Sequence, residues 1–198
     1  MSVTALHDFF AVLAIVAIVG AVLMVVARLI PTVATVRFLD GLHKVNLWLA
    51  ALVATTASLG SLYMSEYGNL WTPCRFCWFQ RIFMYPLAII LIIAAIRKDR
   101  GIKWYAAPLA GIGLLVSLWH NLIERGVIEE AKECAATVPC ARPYYVSFGH
   151  IDPDTLRPAG FPAITLAVMA FCGFAAILAL LLTPESLEDE QDGEPSEG

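Results

Sequence analysis

Five uninterrupted apolar blocks constrain this chain more than any other feature. They run from about Phe9 to Ala27, Leu47 to Met64, Ile82 to Ile96, Trp104 to Ile123 and Phe161 to Leu182. A helix crossing a hydrocarbon layer of about 30 Å needs about 20 residues. None of the blocks carries a charge in its middle. In lipid each segment must satisfy its own backbone N–H and C=O groups, so separate blocks of this kind fold as helices. A β-barrel strand would alternate apolar and polar residues, which these blocks do not. The third block is short unless it begins near Phe79 and carries Arg81 in its first turn. Composition agrees: 59 % of residues are hydrophobic and 15 % charged, against about 45–50 % and about 25 % in soluble domains. The expected class is an all-α integral membrane protein.

The first block is read as a retained span and not as a cleaved leader. The segment before it has no Lys or Arg and contains Asp8, the wrong flank for a signal peptide, and no small-x-small cleavage site follows. Orientation comes from basic residues in short links. Arg28, Arg37 and Lys44 face Asp40 in one link, and Arg97, Lys98, Arg100 and Lys103 face Asp99 in another, so both are expected on the cytoplasmic side. The links from about Ser65 to Phe79 and from Glu124 to Gly160 then lie outside. The net charge of −4 reflects the tail: seven of the seventeen acids follow Pro184. That tail, residues 184–198, is expected to be disordered. No basic patch points to nucleic acid. The pairs Ala57–Ser61 and Ala107–Gly111 are read as helix-packing contacts.

The cysteines carry the chemistry. Cys74 and Cys77 form a Cys-x-x-Cys pair, Cys134 and Cys140 a second pair, and both fall in the expected outer links. Close thiols can form a reactive disulfide or bind a metal. A four-thiolate zinc site is the alternative, but a Cys-x5-Cys half is unusual in one, and an oxidising compartment favours disulfides. No metal is expected. Two structural disulfides without turnover are the other alternative. Arg81, four residues after Cys77, shares its helix face one turn deeper; there it can favour a thiolate and donate to a carbonyl oxygen, or simply reach for lipid headgroups. His120, beside Trp119, is either part of an interfacial aromatic belt or a proton-handling group. Glu124, one turn on, is its candidate partner or merely loop. Cys172, alone in an apolar block, is expected to pack as a small hydrophobe.

The segments Gly60-Ser61-Leu62-Tyr63, Pro73-Cys74-Arg75-Phe76-Cys77-Trp78-Phe79-Gln80-Arg81 with Met84-Tyr85-Pro86, Trp119-His120 and Val138-Pro139-Cys140 give a resemblance from about Asn46 to Leu182. The chain resembles the DsbB family of disulfide-generating quinone reductases, especially its BdbC-like branch. The resemblance implies a four-helix transmembrane bundle made of blocks two to five, with one extra N-terminal transmembrane helix. Residues 1–45 then form the extra helix and its cytoplasmic link, 46–183 the bundle with two extracytoplasmic cysteine loops, and 184–198 the acidic tail. It also implies that Cys134 and Cys140 meet an extracytoplasmic thioredoxin-like thiol oxidase of the DsbA or BdbD kind. Cys74 and Cys77 would reduce a quinone (ubiquinone or menaquinone) in the plasma or inner membrane, and Arg81 would contact that quinone. His120 is a candidate for the same site. Two features depart from the family pattern: the first block is extra, and Tyr144 to Gly160 is longer than in the BdbC-like branch. The rival enzyme class resembles vitamin K epoxide reductase, in which the quinone-facing pair sits in a late helix; here it precedes an early one. A zinc- or disulfide-stapled assembly subunit is the non-catalytic rival.

Overall fold

The computed structural model describes residues 3–66, 72–130 and 138–184. Among the described residues six α-helices carry the fold: α1 (Val3–Leu29), α2 (Val33–His43), α3 (Asn46–Glu66), α4 (Arg75–Arg97), α5 (Lys103–Glu124) and α6 (Leu166–Leu181). α1, α3, α4 and α5 are long and apolar enough to cross a membrane, and α6 is a shorter apolar helix. The chain is an all-α membrane protein.

Four helices close a ring. α3 packs on α4, α4 on α5, α5 on α6, and α6 returns to α3, while α1 lies along α6 outside the ring. The seams are built from small residues: Ala50, Ala54, Ala88, Ala106 and Ala110 are buried, whereas Trp48, Leu52, Ile82, Ile89, Ile112 and Leu115 point outward. That inversion of the soluble pattern suits a lipid exterior, where van der Waals contact between close backbones drives helix association. Phe174 of α6 lies on Gly113 of α5, where any Cβ would overlap the ring. The expected Ala107–Gly111 pair is not such a seam, because a Cβ on Gly111 would meet nothing within 4 Å. Ala106, Ala110 and Gly113, on the neighbouring face, make the contact instead. Trp104 and Tyr105 at one end of α5 and Trp119 near the other are exposed, as expected of aromatic belts at the two interfaces.

Two elements differ from the sequence expectation. The link between the first two blocks contains α2, started by a capping box in which the side chains of Thr32 and Thr35 each accept the other's backbone N–H. The last helix begins five residues later than its apolar block. Thr165 caps it, its hydroxyl accepting Val168 N–H at 3.4 Å. Before it, Ile164 pairs with Ser147 and Phe161 is fully exposed, so the block's first residues belong to the loop between α5 and α6. Part of the long Tyr144–Gly160 segment folds as a hairpin, β1 (His150–Ile151) against β2 (Pro158–Ala159). Its turn is tied by Asp152, whose carboxylate accepts Asp154 N–H and the Thr155 hydroxyl, each at 2.9 Å.

Candidate functional site

The N-terminal end of α4 organises the site. Cys74 is the N-cap residue in extended conformation, and its sulfur accepts the Cys77 N–H at 3.3 Å. A helix N-terminus offers unpaired N–H groups and a positive dipole end to a developing thiolate. One turn of helix brings the two sulfurs to 2.8 Å. That is inside van der Waals contact and within easy reach of a disulfide bond of about 2.05 Å.

Cys140 comes to this pair from the far loop, and it packs with Cys74 under Phe76 and Val138. Glu130 holds it there: its carboxylate accepts Cys140 N–H at 2.5 Å and Ala141 N–H at 3.3 Å. Cys134 lies outside the described residues. Several thiols in one dry pocket tolerate little negative charge. Hydrogen bonding to Cys140 lowers the Cys74 pKa, but the bond to Cys77 and burial outweigh it and leave Cys74 pushed up to about 12. Cys140 is pushed up as well, by its bond to Cys74 and by burial.

His120 sits behind the sulfurs, 2 % exposed, with the Phe76 ring stacked on it at 5.5 Å. The Gln80 amide nitrogen, a donor, lies 3.2 Å from Nδ1, so Nδ1 accepts and the neutral ring carries its proton on Nε2. That N–H donates to the Cys140 carbonyl at 3.2 Å and faces Cys74 Sγ at 3.7 Å. Glu124, 4 % exposed, brings a carboxylate oxygen to 3.8 Å from the same nitrogen and accepts the Thr165 hydroxyl at 2.6 Å. A cleft of about 20 Å³ between Cys74, His120, Glu124 and Cys140 has room for about one water. His120 is thus inside the dithiol site and not in the aromatic belt. Glu124 is its partner.

On its other side, Cys77 opens onto a cavity of about 550 Å³ bounded by α1, α3, α4 and α6. Its walls are almost wholly apolar, with Cys77, Gln80, Arg81 and Ser61 among the few polar residues. Arg81 turns onto α3: Nε donates to Ser61 Oγ at 3.0 Å and Nη2 to the Ser61 carbonyl at 3.1 Å. The guanidinium also lies over the Trp78 ring at 5.2 Å. Two of its five donor hydrogens are used in these bonds, and the rest are available to a ligand. Cys172 is buried in α6, lines neither the cavity nor the cleft, and packs as expected of a small hydrophobe.

The structure puts Cys74, Cys77, Cys140 and His120 in one cluster and Arg81 on the cavity side of Cys77, while Cys134, the other residue named by the sequence reading, lies outside the described residues. That reading missed Gln80 and Ser61 as partners of His120 and Arg81, although both stand within the quoted segments. It also missed Glu130, whose only signal is an acid shortly before the second cysteine pair.

Fold and site together define a multi-pass membrane protein with a thiol–disulfide centre at one end of a helical bundle. The family described as disulfide bond formation protein DsbB matches residues 44–183, and the chain belongs to it. A probable disulfide formation protein of Deinococcus radiodurans is 46 % identical over 141 residues, covering 70 % of this chain and 88 % of that one. The disulfide bond formation protein C of Bacillus subtilis is 43 % identical over 123 residues, 62 % of this chain and 88 % of its own. A probable disulfide formation protein C 2 of Bacillus cereus is 38 % identical over 130 residues, 66 % and 93 %. No solved structure matches the chain. Membership supports a disulfide-generating oxidoreductase in the membrane.

Proposed function

We propose that this chain reoxidises an extracytoplasmic thioredoxin-like thiol oxidase and passes the electron pair to a membrane quinone. One observation carries the reading: the Cys74–Cys77 pair faces two ways, with Cys74 against Cys140 of the loop between α5 and α6 and Cys77 on the apolar cavity beside Arg81. Such a cavity, apolar with a few convergent polar groups and within the usual range of about 300–1,000 Å³, suits a small hydrophobic ligand. A quinone fits these walls, with Arg81 and Gln80 offering donors to its ring oxygens. When bound it accepts two electrons and two protons and leaves as the quinol.

A partner thiolate attacks the Cys134–Cys140 disulfide at Cys134, freeing Cys140. Cys140 then attacks Cys74 of the Cys74–Cys77 disulfide, the sulfur it already touches, and Cys77 leaves as a thiolate facing the cavity. The partner's second thiol then displaces Cys134, Cys134 re-forms its disulfide with Cys140 and releases Cys74, and the reduced Cys74–Cys77 pair holds the two electrons that pass onward from Cys77 as its disulfide re-forms. The His120 N–H steadies charge on Cys74, and Glu124 with the adjoining cleft takes up or returns the proton. Both cysteine loops would lie outside and the C-terminal tail, which falls outside the described residues, in the cytoplasm.

A second reading has one observation in its favour. Cys74 Sγ, Cys77 Sγ and a His120 ring nitrogen lie within 4.8 Å of one another, a donor set suited to zinc. Two thiolates on a tetrahedral zinc at about 2.3 Å would stand about 3.8 Å apart, and the observed 2.8 Å is closer to disulfide geometry. Anaerobic reduction of quinone by proteoliposomes containing this chain and a reduced thioredoxin-like oxidase tests the proposal. Stoichiometric zinc with no quinone-dependent change in cysteine redox state would replace it with the second reading.

A further inference from the structure

The family match begins at residue 44, so α1 lies outside the shared bundle, yet it is not a passive addition. Its outer end is bolted to the loop before α6: His7 Nδ1 and Asp8 Oδ1 each lie 2.6 Å from Ser147 Oγ. Its inner end is bolted to the end of α6 by Arg28 Nη1, which donates to the Leu182 carbonyl at 2.6 Å. Deep in the bundle Ala21 and Met24 join the common core. Above them the cavity opens, and α1 supplies one of its walls through Phe9, Phe10, Leu13, Ala14, Val16 and Ala17.

Toward α3 the arrangement is different. There the Phe10 ring lies flush on Gly60, where a Cβ would overlap it. Val16 of α1 and Leu52 of α3 both line the cavity, and both are more than 60 % exposed. The cavity is partly open to its surroundings, and the seam between α1 and α3, spanned by Phe10 on Gly60, runs along its wall.

We infer that α1 is a working wall of the quinone site: its outer half receives the prenyl tail, and the Phe10–Gly60 contact gates lateral entry between α1 and α3. This rests on the quinone reading above. The physical need is plain, since a long-tailed quinone is confined to the hydrocarbon layer and can reach Cys77 only sideways. A bundle without α1 would leave this flank of the cavity to lipid. With α1 bolted at one end to the loop before α6 and at the other to the end of α6, the tail lies against fixed side chains, so tail length and shape become recognised features.

The test uses the full chain in liposomes with a ubiquinone analogue bearing a photoreactive azide on its tail. Label should appear on the peptide ending at Arg28 and be competed away by unlabelled long-tail quinone. Label confined to α3, α4 and α6 overturns the inference. Ala14→Phe places a ring in the tail's path; it should raise KM for a long-tail quinone about tenfold and that for a one-isoprene quinone by less than about twofold. Parallel changes for both quinones overturn it. If the unaltered chain reduces no quinone at all, the functional reading itself falls and this inference with it. An active chain with an unlabelled α1 refutes only the role of α1.

Discussion

Replacing Arg81 tests the link between the cavity and the thiols. The guanidinium is held by two bonds to Ser61 and by the Trp78 face, so its remaining donors are pre-aimed at whatever occupies the cavity. In Arg81→Ala a bound quinone loses one charge-assisted hydrogen bond, worth about 1.5–3 kcal/mol. That converts to about ten- to a hundredfold in quinone KM or turnover. Arg81→Lys keeps the charge but lacks the planar fork that grips Ser61 and stacks on Trp78, so rescue should be partial. Ser61→Ala removes the Nε bond while the backbone carbonyl still holds Nη2; loss of one such bond, about 0.5–1.5 kcal/mol, should cost about two- to tenfold. Steady-state quinone kinetics are to be compared with single-turnover exchange between the partner and the Cys134–Cys140 disulfide. The exchange involves no cavity residue and should be unchanged. A folded Arg81→Ala protein with wild-type quinone kinetics would refute the reasoning, and the acceptor site would have to lie away from Arg81.

Three further outcomes are expected. In Cys140→Ser the Cys134–Cys140 disulfide cannot form, so oxidation of a reduced partner should be lost while quinone still oxidises the Cys74–Cys77 dithiol; partner oxidation at the wild-type rate would show that the relay does not enter through Cys134–Cys140. Glu130→Ala removes the clamp on Cys140 and Ala141 and should slow transfer from Cys140 to Cys74 by about tenfold or more without changing oxidation of the Cys74–Cys77 dithiol by quinone; rapid-quench mass mapping of disulfides separates the two. In the fully reduced protein, Cys74 alkylation should keep climbing with pH beyond 9, the ordinary thiol value, toward about 12, because the reactive species is the thiolate and its pKa is raised; a plateau near pH 9 would contradict the raised pKa.

What the sequence determined by itself was whatever depends on local backbone physics. Charge-free apolar blocks must be helices in lipid, and the basic links between them set an expected orientation. Cys-x-x-Cys at a helix start must bring its sulfurs within a turn of one another, and Arg81 must follow Cys77 on the same face. None of this needs a distant partner. Tertiary structure decided the rest, because helices that are apolar nearly all round carry little signal about which face turns inward. That choice came from close packing of small residues, which put Ala106 and Ala110 in the seam and left Gly111 without a contact. It also turned Gln80 toward His120, 40 positions away, and Arg81 toward Ser61, 20 positions away. The position of Cys140 depends on Glu130 across the loop, and the capped start of α6 on Thr165, whose hydroxyl also bonds Glu124, 41 positions away. Most of all, whether the first apolar block was an anchor or part of the site could not be read from its composition. Only its docking along α6, with Phe10 on Gly60, made it a wall of the cavity.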